Sequence, residues 1–177
     1  MNVSRNILLL ALASIANTAQ AAEAESAVPE PSVFIEQAAQ TGLTEIEAAR
    51  LALARSQDPG IRSFAQRMVA DHGRANEELA TLARAKGVAL PTALDSQHQD
   101  TLDQISSRSG VEFDRSYSQH MVMGHTRAVA LFEAAANSPD AAVSGFANKT
   151  LSMLREHRRL ADKLPGNTVK GDIPAGR

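Results

Sequence analysis

Apolar residues recur every three or four positions along four long stretches of the chain, which is the spacing of helices that bury one face. In the second stretch these positions alternate steps of four and three residues: Ile61, Ala65, Met68, His72, Ala75, Leu79 and Leu82. The corresponding row of the last stretch is Val143, Ala147, Thr150, Leu154, His157, Ala161 and Leu164. Alternation at the strand period of two is absent from the sequence. The pattern predicts an all-α protein.

Capping residues and prolines mark where the predicted helices begin and end. Asp58 followed by Pro59 is a side-chain cap with a proline at the first helical position, and Gly87 is a typical helix stop. The other expected caps are Ser32, Ser138, and the capping box of Ser109 with Glu112. The predicted helices cover residues 33–56, 59–86, 95–107, 109–137 and 138–164, the third of these being short.

A helical hairpin alone leaves an apolar face in water, so two such hairpins should pack together. The sequence therefore predicts an antiparallel four-helix bundle over residues 32–164, with the short extra helix in its central connection. Residues 22–31 are expected to form a flexible lead-in and residues 165–177 a disordered tail.

The first 21 residues have the features of a secretory signal peptide. Arg5 is their only charge, an apolar run covers residues 7–16, and the small-residue pattern Ala19-Gln20-Ala21 precedes the expected cleavage after Ala21 or Ala22. We therefore expect an exported, periplasmic protein. No later segment approaches the roughly 20 apolar residues of a membrane span, so membrane insertion is not expected.

Composition removes several classes of function. The chain has no cysteine, which excludes disulfides and thiolate metal sites. Its net charge is −2 and only 3% of its residues are aromatic, and neither a basic patch nor an aromatic platform suggests nucleic acid as a partner. A homo-oligomer or an envelope protein partner stays open.

Two histidines occupy the apolar rows at positions where a leucine would pack better. Since row positions point into a helical core, His72 and His157 are expected to face inward. Counting along the helices at about 1.5 Å per residue predicts two inward polar layers roughly 7 Å apart. The first layer holds Glu45, His72 and His125, and the second holds His120 and His157.

Four imidazoles and one carboxylate that converge inside a helical domain are typical of a site for Zn, Fe, Mn or Cu. The predicted metal ligands are Glu45, His72, His120, His125 and His157. Asp71 and Glu156, each directly before a histidine, are candidates to hydrogen-bond the ligands from behind. The alternative is a set of buried hydrogen-bond networks or partly solvated corners without metal, with Asp71 and Glu78 on a solvated acidic edge. His98, on the short helix, is expected to be exposed.

Three stretches, "FAQRMVADH", "FDRSYSQHMVMGH" and "FANKTLSMLREH", together resemble the bacterial family called domain of unknown function 4142. The resemblance covers about residues 34–164 and implies a ferritin-like four-helix bundle, often with a signal peptide, but no established activity. The matching positions are Glu45, Glu47, Asp71, His72, His120, His125 and His157. This adds Glu47 to the candidate supporting acids, although Thr44 and Glu47 also form a capping-box pattern.

The family is sometimes labelled a predicted outer-membrane protein. The alternating strands that such insertion requires are absent, so only peripheral association with the outer membrane stays open. Di-iron bundles use Glu-x-x-His, and no Glu lies three residues before any His of this chain, so oxygen-activating di-iron chemistry is not expected.

Three hypotheses about function remain. The first is a metal-binding bundle for storage, buffering or protection against stress. The second is a structural or stress-response interaction module without metal. The first two rank nearly equal. The third, a metal-dependent enzyme with an open coordination position, ranks well behind because it needs a substrate cleft, of which an Ala-rich bundle with few aromatic residues gives no sign. A phosphate-binding loop and a nucleophile elbow are also missing from the sequence.

Overall fold

The computed structural model describes residues 28–167. These residues form five helices and no strand, which confirms the all-α prediction. The helices are α1 (Pro31–Arg55), α2 (Pro59–Lys86), α3 (Ser96–Ser106), α4 (Gly110–Ala135) and α5 (Ala141–Ala161). The predicted signal peptide and most of the predicted lead-in and tail lie outside the described residues.

The ends of α2 follow the sequence prediction, whereas α1 begins earlier than expected. Asp58 accepts a hydrogen bond from the Ile61 amide at 2.9 Å, and Gly87 ends the helix in the left-handed region with φ 66°. Helix α1 starts at Pro31 after the N-cap Glu30, not after Ser32. The fixed φ of proline suits the first helical turn, which explains the earlier start.

Two other predicted caps are corrected. Within residues 28–167 the Ser109 side chain makes no cap hydrogen bond, and the Glu112 carboxylate accepts from Arg115 at 3.0 Å. Helix α5 is capped by Asp140, not by Ser138; its carboxylate accepts from two amides of the first turn, at 3.0 and 3.2 Å. This moves the start of α5 two residues along the chain.

The four long helices form a closed ring in which α1 contacts α2 and α4, and α5 contacts α4 and α2, while α3 lies against α1 and α4. Side-chain contacts give their directions. Phe34 near the start of α1 packs on Phe132 near the end of α4, with ring centroids 5.0 Å apart. Lys86 at the end of α2 forms an ion pair with Asp140 at the start of α5. Neighbouring helices in the ring therefore run antiparallel.

Two apolar clusters fill the interior, one toward each end of the ring. Cluster 1 contains Phe34, Ile35, Leu79, Leu82, Phe132, Val143 and Leu154, and cluster 2 contains Ile61, Phe64, Met68, Phe113, Tyr117, Met121 and Leu164, each with further buried neighbours. Every position of the predicted α5 row is buried, and so is every position of the α2 row except the half-buried Ala75. Between the clusters the buried side chains become polar.

Two further observations concern the chain ends and membranes. Residues 165–167, predicted to be disordered, form a turn in which the Asn167 amide donates to the carbonyl oxygens of Ser118 and Ala161, at 2.8 and 2.9 Å. None of the helices within residues 28–167 is both long and apolar enough to cross a membrane.

Candidate metal centre

Three histidines from three helices meet in the polar layer between the two apolar clusters. His72 of α2, His125 of α4 and His157 of α5 are at most 4% exposed. The centroids of their rings lie 5.4 to 5.6 Å apart. One nitrogen from each ring lies within 4.8 Å of the other two. We refer to these three residues as the triad.

Each triad ring keeps one buried nitrogen that has no hydrogen-bond partner within residues 28–167: Nε2 of His72, Nε2 of His125 and Nδ1 of His157. The opposite nitrogen of His125, Nδ1, donates to the Met121 carbonyl at 2.8 Å, and Nε2 of His157 donates to Asp71 Oδ2 at 2.8 Å. Since a neutral imidazole carries one proton, the remaining nitrogen of each of these rings holds a free lone pair. Two of the three rings are thus fixed in the tautomer that a metal ligand needs.

Asp71 supports the triad across the helix interface. Its side chain is only 14% exposed and also accepts from Arg67 at 3.3 Å. Burial alone would raise the pKa of Asp71, but the hydrogen bonds from His157 and Arg67 hold it below the usual value. The expectation of a solvated acidic edge is therefore wrong for Asp71. Asp71 accepts a hydrogen bond from His157 and not from its chain neighbour His72, because adjacent residues on a helix point about 100° apart.

Burial keeps the triad neutral. It lowers the pKa of His125 to about 3, although the hydrogen bond to the Met121 carbonyl opposes the shift. It lowers the pKa of His72 well below the ordinary histidine value, and that of His157 below it despite the contact with Asp71. At neutral pH the three rings are therefore uncharged, and the hydrogen bonds of His125 and His157 leave the free nitrogens of these two rings unprotonated, which is the form that binds a metal ion.

The other two predicted ligands form a separate pair beside the triad. Glu45 is 2% exposed, and its Oε1 lies 3.9 Å from both His120 Nε2 and His125 Nδ1. The predicted layers are therefore corrected: His157 joins His72 and His125, while His120 lies beside Glu45. Counting along α5 from Ser138 contributed to the error, because the helix is capped by Asp140, two residues later. This shift is about 3 Å of the roughly 7 Å between the predicted layers, and the remainder lies in how the helices are placed along one another.

Burial also shifts the pKa values of this pair. It raises the pKa of Glu45 to about 8, against the opposing charge of Arg127. It lowers the pKa of His120 to about 4, and Arg127 acts in the same direction. Both groups are therefore neutral near pH 7 in the metal-free protein.

The remaining candidates lie elsewhere. Glu47 is half-buried and pairs with Arg50 at 2.6 Å, and Glu156 pairs with Arg159 at 2.8 Å. Each carboxylate pairs with an arginine of its own helix, and none of the hydrogen bonds or ion pairs within residues 28–167 joins it to a triad ring. His98 is half-buried, not exposed, since its ring Nδ1 lies 2.8 Å from Asp95 Oδ1 at the start of α3.

Sequence reasoning missed two contributions to this region. The Met121 carbonyl, one turn before His125, fixes that ring; the spacing of four residues on a helix is the signal that could have found it. Gly124 lies against Glu45, and a Cβ at this position would overlap Glu45 Oε1. A glycine inside a long helix was the only sequence sign of this close approach.

A model of the family described as "Domain of unknown function (DUF4142)" matches residues 16–164. The chain belongs to this family. The resemblance noted in the sequence is thereby confirmed. No curated protein matches the chain.

Solved structures with a similar fold include a DUF305 fragment and CopM. A crystal structure of a DUF305 fragment from Deinococcus radiodurans has a TM-score of 0.69 at 17% identity and covers 80% of this chain and 99% of its own. CopM in its silver-bound form, obtained by soaking, has a TM-score of 0.62 at 17% identity, covering 77% and 94%. CopM in its Cu(II)-bound form has a TM-score of 0.63 at 18% identity, covering 75% and 93%. At these identities the likeness concerns the fold alone.

Proposed function

We propose that this DUF4142 protein binds a transition-metal ion through the triad of His72, His125 and His157. The observation that carries the proposal is the three free nitrogens, buried between two apolar clusters and without hydrogen-bond partners in the described part of the chain. Leaving a buried polar atom without a partner costs about 1–3 kcal/mol. One ion would satisfy all three atoms at once and link folding to metal supply.

The donor set favours borderline or soft metals. Three neutral imidazoles suit Zn or Cu better than Mg or Ca, which prefer oxygen ligands. Nitrogens bound at about 2.0–2.1 Å in tetrahedral geometry lie about 3.4 Å apart, so a triad whose ligand atoms lie within 4.8 Å has to contract slightly. We favour copper, because CopM, which has a similar fold, is described in silver-bound and Cu(II)-bound forms.

The ring of four antiparallel helices is, on this proposal, a ferritin-like four-helix bundle exported to the periplasm by a cleaved signal peptide. A buried three-histidine site suits storage, buffering or protection against excess metal. The hydrogen bonds to Asp71 and to the Met121 carbonyl would hold two ligands in place before the ion arrives.

Titration of metal-free full-length protein with Cu(II), Zn(II), Mn(II) and Fe(II), followed by calorimetry and elemental analysis, tests the proposal. The variant His72→Ala/His157→Ala should lose the tightest site, whereas the control His98→Ala should retain it. Circular dichroism verifies that each variant is folded. Equal affinity in wild type and the double variant would overturn the proposal and favour a metal-free structural or interaction module.

A further inference from the structure

A groove of about 700 Å³ lies between α1, α4 and the connection from α2 to α3. Its lining includes Glu45 and Gln40 of α1, His120 and Arg127 of α4, and His98 of α3. The triad does not line this groove. The groove is thus a separate feature that shares no lining residue with the triad.

Two buried side chains on the groove's lining are unsatisfied. Glu45 Oε2 and His120 Nε2 are both inaccessible to solvent, and neither meets a hydrogen-bond partner among residues 28–167. The 3.9 Å between Glu45 Oε1 and His120 Nε2 is too long for a hydrogen bond, so the two side chains do not satisfy one another. A carboxylate and an imidazole at this separation can reach one ion between them, because donors on one ion lie about 3–4 Å apart.

The helix backbone makes room for the carboxylate. Gly124 faces Glu45, and any larger residue there would place its Cβ against Glu45 Oε1. His125 offers no free nitrogen on this side, since its Nδ1 donates to the Met121 carbonyl. The donors available on the groove's lining are therefore Glu45 and His120.

We propose that Glu45 and His120 form a second cation site at the floor of the groove, separate from the triad. Its ligands are the Glu45 carboxylate and His120 Nε2, and water or a small ligand in the groove completes the coordination. The inference rests on the proposed function only for the class of cation, a divalent transition metal. With two protein ligands and open positions, this site should bind more weakly and exchange faster than the triad.

Zinc stoichiometry in four forms of the full chain tests the second site. Wild type should bind two ions, and His72→Ala/His157→Ala and Glu45→Gln/His120→Leu should each bind one. The variant with all four substitutions should bind none.

Two other outcomes separate the sites. If wild type binds one ion and Glu45→Gln/His120→Leu retains it, the groove site is overturned and the triad stands. One ion in wild type that survives in His72→Ala/His157→Ala and is lost with Glu45→Gln/His120→Leu would support the groove site and overturn the triad.

Gly124→Ala provides a test that leaves every ligand in place. The new methyl group should displace the Glu45 carboxylate and weaken the groove site at least about tenfold, as loss of a supporting contact typically does. Gly145→Ala on α5, where a Cβ would meet nothing, is the matched control and should leave both sites unchanged. Thermal unfolding verifies that both variants are folded. Unaltered affinity of the weaker site in Gly124→Ala would contradict the proposal.

Discussion

The triad and the Glu45–His120 pair lie side by side in one polar layer, yet they are built differently. The triad rings are closed in by the apolar clusters, and two of them are oriented by hydrogen bonds from behind. The pair faces a groove, and Glu45 Oε2 and His120 Nε2 have no such support within residues 28–167. Both regions contain buried imidazole, so burial alone does not distinguish them. The two regions differ in how their side chains are oriented and in whether they line the groove. We therefore expect the triad to bind a metal ion tightly and exchange it slowly, and the pair to bind one weakly and exchange it quickly.

We expect the two apolar clusters to contribute most of the free energy of unfolding, and the polar layer to contribute little. Phe34 is fully buried and packs on Phe132 and Phe146. Phe34→Ala should therefore lower the free energy of unfolding of the metal-free protein by about 3–5 kcal/mol, through lost burial and the remaining cavity. Denaturant unfolding measures this loss. A loss below about 1 kcal/mol would show that cluster 1 is not the stabilising region.

Replacement of a triad ring should have the opposite effect on the metal-free protein. His72→Leu removes an unpartnered buried nitrogen and fills the position with an apolar side chain. We expect the metal-free variant to gain about 1–3 kcal/mol in unfolding free energy while losing metal-dependent stabilisation. Unfolding curves with and without zinc measure both quantities. If His72→Leu destabilises the metal-free protein, the imidazole has a structural partner there. The polar layer would then be satisfied without a metal ion.

Variants of Asp71 and Glu156 distinguish the support of a metal ligand by a hydrogen bond from a general effect of surface charge. Asp71→Asn weakens the acceptor of the His157 hydrogen bond and should reduce metal affinity about 10- to 100-fold. Glu156→Gln removes the carboxylate next to His157 in sequence, but this group pairs with Arg159, so affinity should change less than about twofold. Competition titration measures both affinities. Equal losses in the two variants would indicate a general charge effect.

In the metal-free protein the buried histidines and Glu45 should change the free energy of unfolding in opposite directions as the pH rises. His125 has a folded pKa of about 3 and an unfolded value near 6.5, so the unfolded chain binds more protons between these values. Unfolding free energy should therefore fall below pH 6.5, by up to about 1.4 kcal/mol per pH unit for this one group.

Glu45 acts in the opposite direction. Its pKa rises from 4.5 in the unfolded chain to about 8 in the folded one, so the folded state binds the extra proton and unfolding free energy should fall as pH rises toward 8. Between pH 4.5 and 6.5 the two effects oppose one another. Denaturant unfolding across pH 5 to 9 checks this, and Glu45→Gln should abolish the decline between pH 6.5 and 8. A decline that persists in this variant would assign it to another group.

The sequence predicted the helices and the inward histidines because both depend on the helical period. Residues in one row face one side, whatever packs there, so His72 and His157 were correctly placed inside. Which histidines meet depends on the register between helices. The change of cap from Ser138 to Asp140 accounts for only about 3 Å of the misplacement of His157, and the register between the helices accounts for the rest.

Contacts between helices also could not be predicted from the sequence. Asp71 hydrogen-bonds His157, 86 residues away, and no local pattern encodes that pairing. The groove depends on where the connection between α2 and α3 lies, and such a position is set by packing rather than by period. Local chemistry was therefore predictable, and the partition of ligands between two sites was not.

We propose that the three triad nitrogens hold one metal ion. X-ray absorption of the full chain loaded with one equivalent of zinc, or of Cu(I), tests it most directly. We expect three imidazole nitrogens in the first coordination shell, at about 2.0–2.1 Å for zinc, and loss of this signature in His72→Ala/His157→Ala. A shell dominated by oxygen donors, or an identical spectrum in wild type and the variant, would contradict it.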